Sequence, residues 1–84
     1  MRQVTLYTRD GCHLCEEARK ALDGARAREP FDLQIVDIDS DVELRRLYDY
    51  EVPVIAIDGV KAFKYRVSEA ELLKKLRARR TPES

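Results

Sequence analysis

The sequence predicts an α/β domain, a four-stranded mixed sheet with helices on both faces, in the order β-α-β-α-β-β-α. Three observations carry that prediction. Short runs of β-branched and aromatic residues alternate with segments whose apolar residues recur at helical spacing. Ser40-Asp41-Val42-Glu43 and Ser68-Glu69-Ala70-Glu71 are capping-box patterns that mark helix starts. Asp58-Gly59, between two strand-like runs, is a hairpin turn signal.

Val4–Thr8 reads as the first strand, ended by Arg9-Asp10-Gly11. Cys15, Ala18, Leu22 and Ala25 then keep helical spacing, so a helix is expected from Cys12 to Arg28, with Pro30 beyond it. Phe31–Ile38 is a second strand. The capping box at Ser40 opens a second helix carrying Val42, Leu44, Leu47 and Tyr48. Val54–Asp58 is a short apolar strand, and Val60–Val67 returns from the hairpin. Lys61, Lys64 and Arg66 on that return strand suit a sheet edge, where charge discourages edge-to-edge association. The capping box at Ser68, with Val67 and Leu72 placed as a hydrophobic staple, opens a last helix to Arg79. Strand, helix and strand form a right-handed parallel unit. One domain over residues 1–80 is expected, with 81–84 a frayed tail.

Composition narrows the function classes. The 84 residues include 16 basic and 16 acidic side chains, so net charge argues for neither nucleic acid nor an anionic membrane. With 44% hydrophobic residues the chain folds rather than staying disordered. A domain of this size buries only about 60–65% of its unfolded surface, so a shallow site is expected. The polar opening residues resemble no signal peptide, and no apolar run spans a bilayer. The expectation is a cytoplasmic monomer, in a compartment where structural disulfides are rare.

Cys12-His13-Leu14-Cys15 falls where the first strand hands over to the first helix. A helix N-terminus has unpaired N–H groups and partial positive charge, and both favour a thiolate at Cys12. His13 and Arg9 add positive charge nearby; an exposed helix-start histidine without effect is the plainer reading of His13. Cys12, at the helix tip, is the expected nucleophile toward a substrate disulfide. Cys15, one turn deeper, is expected to resolve the mixed disulfide. A structural staple is a poor alternative, because so short a loop removes little unfolded-state entropy. A closed zinc site needs four ligands, and the chain has two cysteines and one histidine. A Cu(I)-carrying domain also places C-x-x-C after its first strand, but its β-α-β-β-α-β pattern ends in a strand.

Tyr7-Thr8-Arg9-Asp10-Gly11-Cys12-His13-Leu14-Cys15-Glu16-Glu17-Ala18 resembles the start of glutaredoxin-like proteins. Val52-Pro53-Val54 resembles the loop that carries a cis-proline in the thioredoxin superfamily, and Pro53 follows Cys15 by 38 residues. The resemblance implies a thioredoxin-like fold, a cis Pro53 beside Cys12, and a Val52 backbone that pairs with an extended substrate segment. A trans Pro53 starting a strand is the plain alternative. The resemblance also sets Arg9 where glutaredoxins often carry a lysine that contacts glutathione. Departures accompany it. Glu51 stands where threonine is usual, and Tyr65-Arg66-Val67-Ser68-Glu69 lacks the glycine pair that holds the glutamyl end of glutathione.

The sequence therefore points to a thiol–disulfide oxidoreductase with Cys12 and Cys15 catalytic and Arg9, His13, Val52 and Pro53 as candidate substrate-binding residues. The expected substrates are disulfides of proteins or small thiols, and a thiol reductant, glutathione or a thioredoxin-type system, regenerates the dithiol. No tightly bound cofactor and no metal is expected, with glutathione a candidate cosubstrate. The alternative is a glutaredoxin-like protein that binds a metal or an iron–sulfur cluster without disulfide turnover.

Overall fold

The computed structural model describes residues 2–77. The elements are β1 (Gln3–Thr8), α1 (His13–Arg28), β2 (Asp32–Asp37), a 3₁₀ turn (Ile38–Ser40), α2 (Val42–Tyr48), β3 (Val54–Ile57), β4 (Val60–Lys64) and α3 (Glu69–Arg77). The sheet order is β2-β1-β3-β4. β1 runs parallel to β2 and antiparallel to β3, and β4 closes the hairpin antiparallel to β3. The predicted helix end at Arg79, the domain boundary at residue 80 and the tail 81–84 lie outside the described residues.

Alternation along β1 divides the molecule. Val4 and Leu6 point to one face, where they meet Ala18, Leu22 and Ala25 of α1 and Leu72, Leu73 and Leu76 of α3. Tyr7 points to the other, where its ring lies against Tyr48 of α2, with centroids 4.8 Å apart. β3 is central and buried on both faces, which is why Val54-Ile55-Ala56-Ile57 reads as an unbroken apolar run. The hairpin forms at Asp58-Gly59, where both residues have positive φ, 52° and 85°.

β4 departs from simple alternation. Ile55 pairs with Phe63, but its neighbour Ala56 pairs with Lys61, so Ala62 is one residue extra. Without that bulge Lys61 would share the core face with Phe63. The extra residue turns Lys61 to the α2 face instead.

Several boundaries differ from the sequence expectation by a residue or more, and three of the differences have a local reason. Ile38 leaves the second strand because Asp37 accepts the Asp39 N–H (2.9 Å) and its carbonyl accepts the Ser40 hydroxyl (2.6 Å), which closes a turn. That engaged hydroxyl is not the cap of α2. Asp41 is, accepting the Glu43 N–H at 2.8 Å. The return strand ends at Lys64 rather than Val67, since Tyr65 has φ of 70° and cannot continue the ladder. The box at Ser68 forms as expected: Ser68 Oγ accepts the Glu71 N–H, and Glu71 accepts the Ser68 N–H.

Candidate functional site

β1 ends at Thr8, and the chain turns through Arg9-Asp10-Gly11 into α1. Gly11 has φ of 78°, a conformation glycine adopts without steric cost. The turn leaves Cys12 extended (φ −92°, ψ 106°) as the N-cap of α1. Its Sγ accepts the Cys15 backbone N–H at 3.1 Å, the position a serine or aspartate oxygen takes in an ordinary cap. Cys12 is half-buried, whereas Cys15 is 4% exposed and shares the inner helix face with Ala18 and Leu22. The two sulfurs are joined as a disulfide, with Cα atoms 5.2 Å apart. His13, the first residue of α1, is exposed.

Pairing of Tyr7 with Val54 brings the start of β3 to the end of β1 that leads into Cys12. The Val52–Pro53 bond there is cis, Pro53 is buried, and its carbonyl accepts the Tyr65 N–H at 2.9 Å. Glu51, just before this bond, pairs with Lys61 Nζ at 3.0 Å. That hydrogen bond, with the Lys61 and Lys64 charges, holds the Glu51 carboxyl below its ordinary range, partly opposed by desolvation. Lys61 Nζ also lies 5.8 Å from the centroid of the Tyr48 ring.

Arg9, the candidate for meeting a substrate carboxylate, is engaged by two acids of this chain. Its guanidinium donates to Asp49 Oδ1 (2.7 Å), the Asp49 carbonyl (3.0 Å) and Asp39 Oδ1 (2.9 Å). Those carboxylates match its charge and raise its pKa further, Asp49 most. Arg9 therefore ties the end of β1 to the 3₁₀ turn and to the residue after α2. It also lines an open groove of about 430 Å³ that reaches both cysteines over Leu6 and Ile35, with Arg19 and Lys20 at its wall.

Sequence reasoning missed Lys61, Asp39, Asp49 and the left-handed Tyr65. The first depends on a bulge, the acids on how a turn folds back, and the last on a backbone angle that no residue type announces. Among the described residues, no group of three or more His, Cys, Asp and Glu is arranged to hold a metal, and no helix is long and apolar enough to cross a membrane.

Residues 3–77 match the family model of the glutaredoxin-like domain (DUF836). The chain is similar to the X-ray structure of XcR50 from X. campestris, at 36% identity and TM-score 0.78, with 90% of this chain and 97% of that one covered. Ne2328 from Nitrosomonas europaea, solved by NMR, matches at 30% identity and TM-score 0.76, over 88% of this chain and 89% of that one. A malaria-parasite thioredoxin-2 matches at TM-score 0.75 over 94% of this chain and 84% of that one; at 17% identity the likeness is one of fold.

Proposed function

The chain belongs to the glutaredoxin-like domain family of the thioredoxin superfamily, and from that premise we propose that it is a thiol–disulfide oxidoreductase acting on disulfides of proteins or small thiols. One observation carries the proposal: Cys12 Sγ caps α1 and accepts the Cys15 N–H, while Cys15 is buried one turn deeper. In the reduced state the same N–H and the helix terminus favour the Cys12 thiolate, the form that attacks disulfides.

The Cys12 thiolate attacks a substrate disulfide, forms a mixed disulfide and expels one substrate thiolate. Cys15 gives up its proton, attacks the Cys12 sulfur and expels the second. Two electrons pass to the substrate, and the Cys12–Cys15 disulfide remains. Two equivalents of glutathione, or one of a thioredoxin-type dithiol, restore the pair. Arg9 is assigned to holding the turn, and Val52 to pairing with the substrate backbone.

Replacing Cys12 with Ser is expected to abolish turnover of bis(2-hydroxyethyl) disulfide. Replacing Cys15 with Ser is expected to trap a mixed disulfide on Cys12, visible by mass spectrometry. Full activity of the Cys12→Ser protein would overturn the mechanism.

A further inference from the structure

β2 is an open edge of the sheet. In the order β2-β1-β3-β4 only β1 pairs with it among the described residues, through six residues in unbroken register. The other edge, β4, is blunted by the Ala62 bulge and by Lys61 and Lys64, devices that keep a foreign strand off. β2 has none of them. Its sequence, Asp32-Leu33-Gln34-Ile35-Val36-Asp37, holds no lysine, arginine or proline. Ile35 is 41% exposed and lines the groove of about 430 Å³ that reaches both cysteines. Such an edge offers a row of backbone N–H and C=O groups for pairing.

We propose that the β2 edge docks an extended polypeptide segment of a partner protein, apolar in its middle and basic at both ends. Register with β1 sorts the side chains. Leu33 and Ile35 share the α1 face with Val4 and Leu6, so segment residues opposite them enter the groove between β2 and α1. Leu6 and Ile35 make that groove apolar at its floor, and Arg19 and Lys20 on the α1 wall repel a cation there. The ends differ. Asp32 opens the strand and Asp37 closes it, both exposed, so a cation opposite each is favoured. An antiparallel segment therefore reads Lys-x-apolar-x-apolar-Lys. A second copy of this chain does not fit. Antiparallel pairing of two β2 strands about their midpoint sets Asp32 against Asp37 twice, and like charges directly opposite are destabilising. Because β1 and β2 are parallel, with Thr8 beside Asp37, the segment ends next to the turn that leads into Cys12. The cis-proline loop stays free, since β3 lies on the other side of β1.

The probes are the blocked hexapeptides Lys-Thr-Val-Thr-Val-Lys and Glu-Thr-Val-Thr-Val-Glu, titrated into the isotope-labelled full chain and followed by NMR. Saturable amide shifts are expected in β2 and the facing turn of α1, with slower exchange of β2 amides. The lysine peptide should bind about tenfold more tightly, the scale of two favourable against two unfavourable cross-strand charge pairs. Asp32→Asn combined with Asp37→Asn should bring the two affinities together; asparagine at position 37 keeps the side-chain oxygen that accepts the Asp39 N–H. Ile35→Lys, which copies the protection of β4, should abolish binding of the lysine peptide. No saturable β2 shift at millimolar peptide, equal affinities in the parent chain, or shifts centred on Val52 and Val54 overturn the proposal. So does a concentration-dependent dimer with protected β2 amides, which makes a second copy the occupant. Neither probe carries sulfur, so failure here leaves the oxidoreductase reading untouched, and failure of that reading leaves the docking edge standing.

Discussion

Lys61 meets Glu51 only because Ala62 is an extra residue in its strand, and that contact has a testable charge dependence. The Glu51 carboxyl is depressed in the folded state, chiefly by the Lys61 hydrogen bond. A depressed carboxyl contributes stability above its unfolded pKa, about 4.3, and loses it as pH falls through the folded value. Wild type should therefore melt above Lys61→Met at pH 7, and the gap should narrow as pH drops below about 4. A gap independent of pH would mean that Lys61 acts through its ammonium over the Tyr48 ring rather than through the Glu51 carboxylate. Arg9 is the companion case on the other side of the Cys12 turn. Arg9→Gln should speed amide exchange in the 3₁₀ turn and α2, which its guanidinium holds through Asp39 and Asp49. At this scale the sequence was partly legible. Cys12 and Cys15 stand out because their chemistry is encoded in spacing at a strand–helix junction. The partners of Arg9 and Lys61 do not, since each lies more than nine residues away across a turn or a bulge.

The elements themselves were legible where one face is buried and a cap is local. α1 announces itself through Cys15, Ala18, Leu22 and Ala25, all buried as the spacing requires. α2 shows the limit. It carries no fully buried residue, and Val42 and Leu47 are 71% and 60% exposed, so its apolar residues did not mark a core face. Its cap was also displaced by one residue, from Ser40 to Asp41. Asp41→Ala should cost about 1 kcal/mol, the usual worth of an N-cap, and should lower α2 protection more than Ser40→Ala does. The turn before α1 is more exacting. A side chain at Gly11 meets nothing within 4 Å, so only its φ of 78° opposes substitution. Gly11→Ala should therefore cost about 1 kcal/mol, or roughly 4–8 °C in melting temperature.

Across the whole molecule the packing is one-sided, and stability should follow. The main core joins β1, β3, α1 and α3, while α2 rests on the opposite face through Tyr48 and partly buried Leu44. Elements with little buried apolar surface open at lower free energy than the core they rest on. Amides of α2 should then exchange by local opening, whereas those of β1, β3 and the middle of α1 exchange only with global unfolding. Leu72→Ala separates the two modes. Leu72 is fully buried between the helices and the sheet, and truncating such a leucine costs about 2–5 kcal/mol. Exchange by global unfolding must accelerate by that whole amount, while exchange by local opening of α2 should hardly change. The β1 and β3 amides should thus approach the rate of α2 amides in the variant. Equal acceleration everywhere would show that α2 opens only with the core, and that the cis-proline loop following it shares the stability of the sheet.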